Sequence, residues 1–166
     1  IKAISKAAEI NGREPKIIIP YINSPEEVMY VQKKIKEIDK RIKVGVMIET
    51  PAALLRIAEI AEISDSLSFG TNDLYSLMVG LSRNDGRKIK DIYDEKNISF
   101  LEYSKLLDWI NEFAAKAKKV NPSIEIGICG EIDYTDEQIR KLINIDYLSV
   151  SIDRFVYTRV QSARNT

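Results

Sequence analysis

Val44-Gly-Val-Met-Ile-Glu-Thr-Pro51 is an apolar, β-branched run that stops abruptly at a carboxylate. Two other stretches share its form, Phe69-Gly-Thr-Asn-Asp73 and Gly127-Ile-Cys-Gly-Glu131. A short, continuously apolar run reads as a parallel strand buried on both faces, and its polar stop as the strand's C-terminal end. In barrels of alternating strands and helices, active sites are built at that end. Glu49, Asn72 with Asp73, and Cys129 are therefore expected at one shared site.

The flanking sequence supplies the helices between these strands. Ile1–Ile10 has helical spacing and runs into Asn11-Gly12, a C-terminal stop. Lys16–Ile22 reads as a strand. Ser24-Pro25-Glu26-Glu27 then offers an N-cap, a first-turn proline and a capping-box glutamate. The helix it opens is expected to reach about Ile38, with Val28, Val31, Ile35 and Ile38 facing inward. Strand Lys43–Ile48 leads into a helix opened by Thr50-Pro51. Strand Ser66–Gly70 leads into a short helix capped by Asn72 or Asp73 and closed by Gly80. Residues 82–99 are polar and read as a long loop, which inside a compact domain is often functional. An amphipathic helix over about Glu102–Val120 follows, with Leu106, Leu107, Ile110, Phe113 and Ala117 inward. Strand Ile124–Cys129, helix Asp136–Ile143, strand Tyr147–Val150 and a last helix from about Asp153 complete the pattern. Five strands separated by helices predict an α/β fold with a parallel sheet and right-handed crossovers. Five cannot close an eight-stranded barrel, which leaves an open sheet or a barrel lacking three upstream strands.

The 166 residues suffice for one domain, here 1–166. Twenty-five basic and 25 acidic side chains balance to zero net charge, which argues against a nucleic-acid partner. No apolar run is long enough to cross a bilayer, and no signal-peptide pattern is present. The single cysteine suits a reducing cytoplasm. The absence of histidine excludes a Ser-His-Asp triad within this chain. The first residue, Ile1, suggests a piece of a longer protein.

Glu49 and Asp73 on separate strand tips are the hard oxygen donors with which proteins hold Mg²⁺, together with water and substrate oxygens. Each taken alone reads as a helix-terminal carboxylate; together, each directly after a buried strand, they favour a site. Gly70 and Thr71 allow backbone N–H groups to approach an anion at the next helix start. Arg83, just past that helix, offers a planar fork of donors, although a solvated surface arginine is the commoner role. Cys129 lies between Gly127 and Gly130, where backbone can come close to a ligand. Most unpaired cysteines are small buried hydrophobes, but a thiol beside a bound anion is suited to give up a proton as a general acid.

The three motifs, in this order and spacing, resemble the C-terminal barrel of the phosphoenolpyruvate-utilising enzymes. That family includes pyruvate phosphate dikinase, phosphoenolpyruvate synthase and enzyme I of the sugar phosphotransferase system. Val79-Gly-Leu-Ser-Arg-Asn-Asp85 and Tyr147-Leu-Ser-Val-Ser151 are most similar to the dikinase version. The resemblance implies a partial (β/α)8 TIM barrel whose first three strands are missing. It implies Mg²⁺ on Glu49 and Asp73, and Asn72, Thr71, Gly70 and Gly130 around phosphoenolpyruvate or pyruvate. Arg83 would stabilise phosphoryl or enolate charge, and Cys129 would exchange the proton on the enolate carbon. The implied partners are the missing barrel strands and a phosphohistidine domain, with a homodimer favoured by the open strand edge. On that reading the chain alone is inactive. The family pattern is departed from at Tyr75-Ser76, at residues 132–135 and at Ser151-Ile152, which implies altered specificity or weakened activity. Two other readings are a metal-dependent aldolase or lyase of the wider pyruvate-enolate group, and a degenerate, non-catalytic dimerisation domain.

Overall fold

The computed structural model describes residues 1–82, 85–99, 101–130 and 135–163. Its elements run α1 (Lys2–Ile10), β1 (Lys16–Ile19), α2 (Pro25–Ile38), β2 (Lys43–Ile48), α3 (Pro51–Leu55), α4 (Ile57–Ile63), β3 (Ser66–Gly70) and α5 (Thr71–Val79). Then come α6 (Gly86–Glu95), α7 (Tyr103–Val120), β4 (Glu125–Cys129), α8 (Asp136–Lys141), β5 (Tyr147–Ser149) and α9 (Ile152–Ala163). The five strands form one parallel sheet in sequence order, β1-β2-β3-β4-β5. The expected α/β architecture is observed, with β1 and β5 at the sheet edges among the described residues.

Side chains alternate across each strand, and one face carries the core. Val44, Val46 and Ile48 of β2, Leu67 and Phe69 of β3, and Ile126 and Ile128 of β4 are buried there. They pack against Val28 and Ile35 of α2, Ile57 and Ile60 of α4, and Leu106 and Ile110 of α7. The opposite face is built from small residues. A Cβ on Gly45 would overlap the Ser66 hydroxyl, and one on Gly127 would overlap the Tyr147 ring. The Tyr147 ring thus lies over Gly127, with the Ser68 hydroxyl in hydrogen-bond contact with its phenol, and burial raises that phenol above its ordinary value.

At the N-terminal edge of the sheet the same device appears twice. Asp65, just before β3, accepts from the Val44 N–H at 2.7 Å and donates its own N–H to the Val44 carbonyl at 3.0 Å. Asp146, just before β5, does the same with Ile126, at 2.7 Å in both directions. Lys43 and Lys118 neutralise the two carboxylates, at 3.7 and 2.7 Å.

Several boundaries differ from the sequence reading. The first strand ends at Ile19, because Pro20 has no N–H to continue the ladder. The helix after Thr50-Pro51 breaks at Arg56 (φ −102°, ψ 20°), whose guanidinium is held by Glu26 of α2 and Glu59 of α4. Ile38 is 44% exposed rather than inward. Residues 82–99 are not a plain loop but contain α6, whose N-cap Asp85 is hydrogen-bonded to the Ser82 hydroxyl. Its pattern Ile89, Ile92, Tyr93 has helical spacing inside a strongly polar segment. Neither Asn72 nor Asp73 caps α5: Gly70 is the N-cap and both lie in the first turn. Helix α8 opens with a Thr135–Gln138 capping box and ends at Lys141 rather than Ile143.

Candidate active site at the C-terminal edge of the sheet

Register brings the expected residues to one edge. Ile48 pairs with Phe69, and Gly70 pairs with Cys129, which in turn pairs with Ser149. Because Ile48, Phe69 and Ile128 point into the core, alternation turns Glu49, Gly70 and Cys129 toward the opposite face. Glu49 is set by its neighbours on both sides. Thr50 accepts from the Ala53 N–H at 3.1 Å, capping α3, and donates to the Ile22 carbonyl at 2.9 Å.

The Glu49 carboxylate is buried, the residue being 6% exposed. Its Oε1 accepts from the Tyr21 N–H at 2.8 Å. Its Oε2 lies over Gly70, where a Cβ would come within 2.7 Å. Among the described residues no lysine or arginine pairs with it. A buried carboxylate with one amide partner is costly, so a cation at this edge would remove that cost.

Asp73 lies in the first turn of α5, half-buried. Its Oδ1 accepts from the Tyr21 phenol at 3.5 Å. The Asp73 carboxylate, then burial, then the Glu49 carboxylate hold that phenol above its ordinary value. Tyr21 was not singled out by the sequence reading, yet it touches both acidic residues. Its backbone has φ 52°, sparsely populated by bulky residues.

On the other side, Thr71 donates its hydroxyl to the Cys129 carbonyl at 3.3 Å. A Cβ on Gly130 (φ 156°) would collide with that hydroxyl and would stand 3.9 Å from Asn72 Cγ. Gly130 therefore lets the end of β4 close against the start of α5. Cys129 is a half-buried free thiol. Arg83 lies outside the described residues, as do Glu131 and Tyr134. No group of three or more His, Cys, Asp or Glu side chains forms a metal cage among the described residues. No described helix is long and apolar enough to cross a membrane.

Over residues 1–166 the chain matches the family described as PEP-utilising enzyme, PEP-binding domain. It belongs to that family. Among curated relatives of this PEP-binding domain, pyruvate, phosphate dikinase 1 of Arabidopsis thaliana is 32% identical over 168 residues, covering 90% of the chain and 17% of the relative. The dikinase of Rhizobium meliloti is 31% identical, covering 92% of the chain and 19% of its own length. The PEP-binding domain thus spans about a fifth of these relatives. Among solved structures, a citrate lyase from Burkholderia xenovorans superposes with a TM-score of 0.57 at 13% identity, covering 89% of the chain and 48% of that protein. An HpcH/HpaI aldolase from Desulfitobacterium hafniense gives 0.51 at 13% identity, covering 99% and 68%. Such likeness speaks to fold alone, and it agrees with part of a TIM-like barrel.

Proposed function

We propose that this domain is the phosphoenolpyruvate/pyruvate half of a dikinase-like phosphotransferase. The observation that carries it is the edge itself. Adjacent strand ends bring together a buried Glu49 with no lysine or arginine partner among the described residues, the first turn of α5 with Asn72 and Asp73, and the Cys129 thiol.

The donor set is of the kind Mg²⁺ takes: two carboxylates, Glu49 just after β2 and Asp73 in the first turn of α5, to be completed by water and substrate oxygens. Glu49 and Asp73 would hold the ion. When bound, it supplies positive charge that offsets charge developing on the substrate's oxygen. The start of α5, with Gly70, Thr71 and Asn72, faces the substrate's anionic groups, and Gly130 keeps the β4 end close enough to bound substrate. Arg83 is assigned to the phosphoryl or enolate charge.

Cys129 handles the proton. As the enol O–P bond of phosphoenolpyruvate breaks, the phosphoryl group leaves to an acceptor elsewhere in the parent protein and the electron pair stays on oxygen. That pair closes to the ketone, the former double bond takes the proton from Cys129 Sγ, and solvent reprotonates the thiolate. In reverse, the thiolate removes a methyl proton from pyruvate. The acceptor, further phosphate-gripping groups and the remaining strands come from the rest of the parent, as the share of the relatives' length suggests. Alone, the 166-residue domain is expected to be inactive, and the sheet edges favour pairing with the rest of the barrel or a second copy.

The test is exchange of solvent deuterium into the pyruvate methyl group by the full-length protein with Mg²⁺ present. Cys129→Ala should slow it by about a hundredfold or more, the range of a general acid–base group, while substrate binding persists. Unchanged exchange would exclude Cys129 as the proton carrier.

A further inference from the structure

Tyr21 is the residue at this edge to which the proposed chemistry gives no part. It follows Pro20 at the end of β1 and is 55% exposed, yet its backbone is held at φ 52°. The hold comes from both sides: its N–H is bound by Glu49 Oε1, the next carbonyl, of Ile22, accepts from Thr50, and its own carbonyl accepts from Asn23 Nδ2 at 3.4 Å. Bulky residues persist at positive φ only where the surroundings over-determine them, and such positions cluster at functional sites. From this backbone the phenol reaches the first turn of α5, where it donates to Asp73 Oδ1 at 3.5 Å. A single residue thus engages one oxygen of each carboxylate, through its amide on one and its phenol on the other.

We propose that Tyr21 is a positioning residue that latches the Glu49–Asp73 pair in its metal-free form. Its amide fixes the Glu49 carboxylate, and its phenol satisfies Asp73 Oδ1 until a divalent cation takes that oxygen. The amide contact is compatible with a bound ion, since it engages Glu49 Oε1 and Oε2 has no hydrogen-bond donor among the described residues. The phenol contact competes with it. Once displaced, the phenol is a donor at the mouth of the site. The proposal rests on Glu49 and Asp73 holding a divalent cation.

The test is Mn²⁺ binding to the 166-residue chain, followed by the electron paramagnetic resonance signal of free Mn²⁺. Wild type, Tyr21→Phe and Asp73→Ala are compared, each checked for folding by circular dichroism. Tyr21→Phe removes the competing donor and keeps the amide and the ring, so it should bind about two- to tenfold tighter. Mn²⁺ should also produce a near-ultraviolet tyrosine difference spectrum in wild type that Tyr21→Phe lacks, a readout a merely structural tyrosine would not give. Binding lost in Asp73→Ala, with Tyr21→Phe equal to or weaker than wild type, overturns the latch and leaves the cation site standing. Equal or absent binding in folded wild type and Asp73→Ala overturns both.

Discussion

Replacing Glu49 by glutamine should make the metal-free protein more stable and the metal-loaded protein less so. Glu49 is 6% exposed, with one amide donor at 2.8 Å and no basic partner among the described residues. Taking a carboxylate out of water costs several kcal/mol even after relaxation. One hydrogen bond to a charged acceptor returns about 1.5–3 kcal/mol. Glutamine keeps the acceptor for the Tyr21 amide and removes the charge, but its buried NH₂ group gives back part of the gain. A net stabilisation of about 1–2 kcal/mol remains, which for a chain of this length is about 2–8 °C in Tm. A ligand at a hundred times its Kd stabilises the folded state by about 2.7 kcal/mol, so saturating Mn²⁺ should raise wild type by about 5–10 °C and leave Glu49→Gln unmoved. Thermal melts of both proteins with and without Mn²⁺, at constant ionic strength, should therefore show their order reversing. If Glu49→Gln melts lower than wild type without metal, and Mn²⁺ shifts the two alike, the carboxylate is already compensated and the argument fails.

Two further predictions concern the small-residue face of the sheet. Gly127→Ala puts a methyl group into the Tyr147 ring and should cost about 1–3 kcal/mol in denaturant unfolding. Tyr147→Ala in the same background should remove much of that cost, and an additive double variant would refute the contact. Burial, ahead of the Ser68 contact that opposes it, holds the Tyr147 phenol above its ordinary 10.0. Above pH 10 the folded chain keeps a proton that the unfolded chain releases. The contribution is thus present in full below 10.0 and lost as pH rises through the higher folded value. Tyr147→Phe should flatten the alkaline fall of Tm, and an unchanged slope would count against it.

The strand ends were legible because the physics that makes them is local. Val44–Ile48 and Ile126–Cys129 are largely apolar runs that suit a covered parallel sheet, Ser66–Gly70 sets Leu67 and Phe69 between small residues, and each breaks at a residue unsuited to the core. Helix α6 was obscured because its apolar residues, Ile89, Ile92 and Tyr93, are diluted by charge. The α8 capping box was available as Thr135-x-x-Gln138, a pattern of spacing alone. The break at Arg56 depends on Glu26, thirty residues away, and no local signal encodes it. Tyr21 was invisible for the same reason. Nothing in Ile19-Pro-Tyr-Ile22 announces a positive φ; the tertiary bonds from Glu49 and Thr50 impose it.

The paired bonds of Asp65 and Asp146 have a consequence far from where they are made. Each locks the second residue of one strand, Val44 of β2 or Ile126 of β4, to the turn entering its neighbour, β3 against β2 and β5 against β4. A slip of one residue in either pairing would exchange a strand's two faces, sending Glu49 or Cys129 under the helices and a core isoleucine into the cleft. Such a slip first has to break two hydrogen bonds and part a carboxylate from its lysine, all at the N-terminal end of the sheet. The alignment of the reactive edge is thus decided at the opposite end of the strands. Substitutions at Asp65 or Asp146 would accordingly misplace the chemistry without touching any group that performs it.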